Sequence, residues 1–220
     1  MTSILISNET QIATGDFATS VKATQIAASD FMDKWGKPAV TLTQDATLPF
    51  DMRVHVTNQH RHTGAKGYHT VENGIPTAYI SPAASLNKLF GTYFPPIISR
   101  GIFHKGQVLF PARCRSGLTD IIQHEVIEML ADPLIKTLSE PDSLGHQWLV
   151  EPADPLDGVF HMEVIDGKQV IFCAFAYPAF YKLGSKGPWD SAGVCKGPFQ
   201  IPLKTGYGFW RNILGGFTKV

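Results

Sequence analysis

Thr119-Asp-Ile-Ile-Gln-His-Glu-Val-Ile-Glu-Met-Leu-Ala-Asp-Pro133 is the stretch on which the reading of this chain turns. Wound as a helix at about 100° per residue, it separates into two arcs. Leu118, Ile122, Val126 and Met129 share one arc, with Leu130 at its margin, and form an apolar face for a core. His124, Glu128 and Asp132 stack one turn apart on the neighbouring arc, and Glu125 lies at the border between the two. The i, i+4 spacing lets His124 and Glu128 reach one metal ion, while Glu125 sits close by without taking the same position. Ser116 or Thr119 is placed to cap the helix start. Asp132-Pro133 predicts its end, since the residue before proline resists the helical region.

The spacing H-E-x-x-E is that of the zinc-hydrolase helix H-E-x-x-H with glutamate in place of the second histidine. So short a motif also fits an amphipathic surface helix whose acids are simply solvated. Glu151-x-x-Asp154, further along, supplies a second half. Zinc hydrolases with a glutamate as third ligand commonly bring it from beyond the helix, with an aspartate a turn later that hydrogen-bonds the ligand histidine. The expected metal ligands are therefore His124, Glu128 and Glu151, with Asp154 or Asp132 holding His124. Asp132 reads equally as a direct ligand or as a cap on the helix end. Glu125 is the expected general base, taking a proton from water and returning it to the leaving amine.

Two carboxylates and a neutral imidazole cancel the charge of a dication, whereas two imidazoles and one carboxylate leave it positive. A neutral site acidifies water less, and its oxygen-rich donors admit Mn²⁺ or Ca²⁺ beside Zn²⁺. This leaves room for a second class of function, in which the metal is a structural clip.

Composition narrows the partners. The chain has 220 residues, 44% hydrophobic and 17% charged, with 19 basic and 19 acidic side chains. No field of one sign exists to draw nucleic acid or an anionic membrane. Cys114, Cys173 and Cys195 are too scattered for a disulfide framework or a cysteine zinc site, and read as small buried hydrophobes. The N-terminus has no basic region ahead of a long apolar run, so no signal peptide is expected, and no stretch approaches the roughly 20 apolar residues of a membrane span. A cytoplasmic protein is expected.

Upstream of the helix, Ser3–Ser7 reads as a strand, and Asp16 to Phe31 as a scaffold helix that stops at Gly36 and Pro38. Ala39–Thr43 and Met52–Thr57 read as strands of one sheet. His60 and His62 lie in a Gly-rich loop and read as solvated. His69, just before the strand Thr77–Ile80, either approaches the metal helix as a donor or bridges loop backbone. Ser81–Phe90 is a short helical turn at most. Gln107–Phe110 reads as a strand and, by analogy with zinc peptidases, as the edge on which an extended substrate pairs. Downstream, Leu134–Leu144 reads as irregular, and Asp166-Gly167 between two β-rich runs signals a hairpin. From Tyr177 the chain is rich in Gly, Pro and aromatics. It divides into a metal-binding domain, 1–180, and a wrapping or interaction extension, 181–220.

The run Gln123-His-Glu-Val-Ile-Glu-Met-Leu-Ala-Asp-Pro133, then Glu151-x-x-Asp154, Gly167 and Cys173-Ala-Phe-Ala-Tyr-Pro178, resembles a group of bacteriophage and bacterial zincin-like metallopeptidases. Their common pattern is S-H-E-x-x-E-x-x-x-D-P with E-x-x-D after it. Gly67-Tyr-His69 also resembles a segment upstream of the helix in that group. The likeness covers roughly the middle half of the chain, and Gln123 stands where the group usually has serine. The resemblance implies a zincin-like α/β (α+β) fold: a twisted mixed sheet packed on helices, with the active-site helix beneath its edge strand. It implies a zinc-dependent peptidase acting on peptide or protein, or on another amide such as a cell-wall cross-link. The alternative is a catalytically inert, metal-stabilised structural or virion-assembly protein, with its C-terminal extension as the surface for protein partners or self-association.

Overall fold

Ile4-Leu5-Ile6, apolar on successive residues, forms the middle of strand β1 (Thr2–Asn8), as a strand covered on both faces requires. Helix α1 (Thr14–Lys34) follows and returns the chain to β2 (Val40–Thr43), parallel to β1. Parallel neighbours need such a crossover. β3 (Met52–Val56) pairs parallel on the other side of β1. β4 (Gly67–Glu72) turns through Asn73-Gly74, both at positive φ, into β5 (Ile75–Ile80), which is parallel to β3. The result is a mixed sheet in the order β2-β1-β3-β5-β4, with the antiparallel β4 at one edge. The computed structural model describes residues 1–58, 66–82, 92–93, 102–104, 107–109, 114–115, 117–212 and 216–220. The expectations for His60, His62, Ser116 and most of 81–90 fall outside these residues.

Four short strands follow. β6 (Thr92–Tyr93) pairs with β9 (Cys114–Arg115), and β7 (Ile102–His104) with β8 (Gln107–Leu109). The segment expected to be the substrate edge is thus one arm of a separate two-stranded ribbon. Among the described residues, the sheet edge packed on the motif helix is β4.

That helix, α2 (Leu118–Ala131), ends where Asp132-Pro133 predicts, with Asp132 outside the helical region at φ −135° and ψ 75°. It starts at Gly117, whose N–H donates to Asp120, and Thr119 lies inside it, its hydroxyl 2.9 Å from that of Ser20 on α1. Burial departs from a two-faced helix. Every residue of α2 except His124 is buried, because α1, the sheet through β4 and β5, and a later hairpin enclose it. Lys37 Nζ donates to the carbonyls of Leu130 and Ala131, a cation at the negative end of the helix.

Beyond α2, β10 (Leu138–Pro141) and β11 (Gln147–Leu149) pair across a bulge, giving strand structure to part of the segment expected to be irregular. β12 (Phe160–Ile165) and β13 (Lys168–Cys173) form the hairpin signalled by Asp166-Gly167, both at positive φ. β13 is tied to α2 through the Cys173 N–H, which donates to Gln123 Oε1 at 3.1 Å. The last strands, β14 (Phe209–Arg211) and β15 (Phe217–Lys219), extend the β10-β11 sheet, with Trp210 opposite Trp148. Phe199, Ile201, Leu203, Trp210 and Val220 pack against the same core as the sheet and helices. Residues beyond 180 therefore contribute to the same core as the rest of the chain. No helix among the described residues is long and apolar enough to cross a membrane.

Candidate metal centre

Four carboxylates meet around α2, all nearly lost to solvent: Glu125 is 5% exposed, Glu128 4%, Glu151 5% and Asp154 4%. A surface helix would leave such groups solvated. Burying them instead carries a penalty of several kcal/mol per ion unless opposite charge is supplied. Among the described residues none of the four pairs with a lysine or arginine; their only charged partners are His69 and His124.

His124 Nε2 lies 3.1 Å from Glu128 Oε1 and 3.2 Å from Asp154 Oδ1. Donor atoms of His124, Glu128 and Asp154 all fall within 4.8 Å of one another. Asp154 reaches this point because it opens a 3₁₀ turn, Asp154–Leu156, whose start is held by the Tyr207 N–H donating to the Asp154 carbonyl at 3.0 Å. Glu128 and Glu125 come from the helix itself, and Glu125 is packed so closely that a Cβ on Gly67 would stand 2.7 Å from its Oε1.

His69 completes the cluster from β4. Its Nδ1 is 3.3 Å from Glu125 Oε2 and 3.7 Å from Glu128 Oε2, and its Nε2 is 3.7 Å from Glu151 Oε1. Glu151 is fixed at its backbone, where its carbonyl accepts from the Tyr181 phenol at 2.8 Å. Of the expected ligands, His124 and Glu128 come together as the i, i+4 spacing requires. The third carboxylate within their reach is Asp154, while Glu151 faces His69. Asp132 turns elsewhere: its carboxylate accepts from the N–H and the hydroxyl of Thr137, at 2.7 and 2.8 Å. His69 was legible only through the period of its strand. Tyr68 stacks on Tyr79 on one face, which turns His69 to the other, toward α2.

The electrostatics follow from crowding. Burial opposes charge on His124, yet the carboxylates of Glu128 and Asp154 outweigh it and hold its pKa well above the usual value. Burial, then Asp154, pushes the Glu128 carboxyl up to about 7. Glu151 is driven well above the carboxylate range by burial and by Glu128 and Asp154. For His69, burial is again outweighed, by Glu125 and Glu128, and its pKa rises. Buried polar atoms without a hydrogen bond also collect here: His69 Nε2, Glu128 Oε1 and Glu151 Oε2. Orphaned polar atoms facing one another among crowded carboxylates are a donor set that could hold a cation.

Two cavities flank the cluster and share Gly67, His124, Glu125 and Tyr207 in their walls. One, about 350 Å³, is bounded also by Ile121, Leu156, Phe160 and Lys219. The other, about 370 Å³, is bounded by Tyr68, Ile135, Leu149, Phe209 and Phe217. Tyr207 stands between them beneath Lys219, whose Nζ lies 3.3 Å from the ring centre, and burial and the Asp154 carboxylate keep its phenol protonated. Comparison with known protein families, with curated proteins and with solved structures returns no match to this chain.

Proposed function

We propose that this chain is a metal-dependent hydrolase that cleaves an amide bond, with His124, Glu128 and Asp154 holding a divalent ion and Glu125 serving as general base. The reading is carried by one observation: those three side chains bring donor atoms within 4.8 Å of one another beside a third buried carboxylate, Glu125, at the junction of two cavities. The ion, when bound, supplies Lewis acidity toward a carbonyl and lowers the pKa of water.

The side chains supply the rest. Glu125 reaches the junction with Oε1 against Gly67, where it can take a proton from water and deliver it to a leaving amine. The other oxygen of that carboxylate lies 3.3 Å from His69 Nδ1, which limits its rotation. Cavities on both sides of the junction suit a substrate that continues in both directions, as a peptide does. β4 is the last strand of its sheet among the described residues, which favours an extended backbone pairing along it. The donor set of one imidazole and two carboxylates suits Zn²⁺ and also accepts Mn²⁺ or Ca²⁺.

The test is Glu125→Gln in the zinc-loaded chain, assayed on a broad peptide library. Hydrolysis is expected to fall by about 10²–10⁴-fold while the ion at His124 is retained. An ion held as tightly in the wild type, with no peptide cleaved, would instead make the centre a structural clip.

A further inference from the structure

Charge in the cluster exceeds what one dication neutralises. Glu125, Glu128, Glu151 and Asp154 carry four formal negative charges when ionised, and one divalent ion at His124 cancels two of them. The remainder sits around His69, whose side chain is 7% exposed and whose Nε2 has no hydrogen bond. His69, Glu125 and Glu128 bring donor atoms within 4.8 Å of one another, a second convergence distinct from that of His124, Glu128 and Asp154.

We propose that the centre binds two divalent cations, the second held by His69 Nδ1, Glu125 and Glu128, with Glu128 bridging the pair. The proposal rests on the reading of the first ion given above and adds to it. Glu128 is placed for the task, because its two oxygens face different histidines: Oε1 lies 3.1 Å from His124 Nε2 and Oε2 lies 3.7 Å from His69 Nδ1. Glu125 faces the second position through Oε2 and keeps Oε1 against Gly67 at the cavity junction.

Glu151 then acquires a role that fits its position. With Nδ1 on the ion, His69 carries its proton on Nε2, directed at Glu151 Oε1 3.7 Å away. A carboxylate behind a ligand histidine fixes its tautomer and orientation, and losing one commonly weakens binding by 10–100-fold. Glu151 is thus a positioning residue for the second ion. Paired ions about 3.5–4 Å apart recur in hydrolytic two-metal sites, aminopeptidases among them.

The experiment is ion stoichiometry on the full-length metal-free chain, titrated separately with Zn²⁺ and Mn²⁺ and read by calorimetry, elemental analysis and, for Mn²⁺, electron paramagnetic resonance. Two ions per chain are expected, with a spin-coupled Mn²⁺ signal. His69→Ala should retain one ion with an uncoupled signal, and Glu151→Gln should weaken the second ion by about 10–100-fold without moving the first. Saturation of the wild type at one ion that His69→Ala leaves untouched overturns the second site and spares the first. Failure to bind any ion overturns both readings. Wild-type stoichiometry and Glu151→Gln decide the matter even if His69→Ala does not fold.

Discussion

His124 Nε2 and Asp154 Oδ1 stand 3.2 Å apart, brought together from positions 30 residues apart in the chain. On the proposed reading, Asp154 holds the first ion together with the helix. His124→Ala and Asp154→Ala are each expected to weaken that ion by more than about 100-fold, beyond the usual effect of losing a supporting partner. Glu151→Ala should leave it in place. Calorimetric titration with Zn²⁺ separates these outcomes, and strong loss of the first ion in Glu151→Ala alone would return Glu151 to the ligand position.

The cluster also makes stability depend on pH in a direction opposite to ordinary acid denaturation. Glu128, pushed up to about 7 by burial and Asp154, keeps a proton in the folded chain that the unfolded chain releases above its ordinary value of 4.5. Between those limits the folded state binds more protons, so its stability falls as pH rises. His124 acts in the same sense: with its pKa raised when folded, its contribution is complete below the unfolded value of 6.5 and is lost as pH climbs through the folded one. The metal-free chain is expected to melt several degrees lower at pH 8 than at pH 5.5. Divalent ions should displace these protons, so that stabilisation by Zn²⁺ grows over the same interval. Melting curves with chelator and with zinc at the two pH values check both signs, and a metal-free Tm that rises with pH would sink the argument.

Gly67 limits the position of Glu125, the carboxylate proposed as general base. A methyl group there would lie 2.7 Å from Glu125 Oε1 and 3.0 Å from Ile121 Cγ2. The shortest contact is with the far end of a flexible side chain, so Glu125 is the group that moves. Gly67→Ala is expected to reduce hydrolysis by at least about 10²-fold, comparable to losing a positioned base, with the ion at His124 retained. The proposal for Glu125 predicts this loss mainly in kcat, which steady-state kinetics resolves from KM.

Sequence periodicity located α2 closely because its determinants are local. Asp132-Pro133 fixes the stop, and the i, i+4 step fixes which face His124 and Glu128 share. The Asp166-Gly167 hairpin was legible for the same reason. What the pattern concealed was enclosure: an apolar arc and a carboxylate arc describe a two-faced helix, yet α1, the sheet and β13 together bury both. Which of Glu151 and Asp154 lies beside His124 was likewise invisible, since it depends on a 3₁₀ turn and on which backbone carbonyls Tyr181 and Tyr207 hold. His69 sits on a strand far upstream, where only the alternation with Tyr68 hints at its direction. Asp132 shares the helical arc of His124 and Glu128, and the turn after the helix decided its partner instead.

Asp132 supplies a test that separates folding from metal binding. It is 1% exposed and accepts two hydrogen bonds from Thr137, closing the turn that carries the chain from α2 toward β10. Removing it leaves the Thr137 N–H and hydroxyl without this acceptor and takes away a carboxylate that faces the Lys37 ammonium. Hydrogen bonds to a charged acceptor are worth about 1.5–3 kcal/mol each. Relief of repulsion on Glu151, which Asp132 helps to hold protonated, offsets part of the loss. Asp132→Ala is therefore expected to lower unfolding free energy by about 2 kcal/mol in urea titration, with both ions bound as in the wild type. Thr137→Val, which deletes only the hydroxyl contact, should cost about 1 kcal/mol. If Asp132→Ala instead released an ion while leaving the unfolding midpoint in place, Asp132 would belong to the metal centre and its bonds to Thr137 would be incidental.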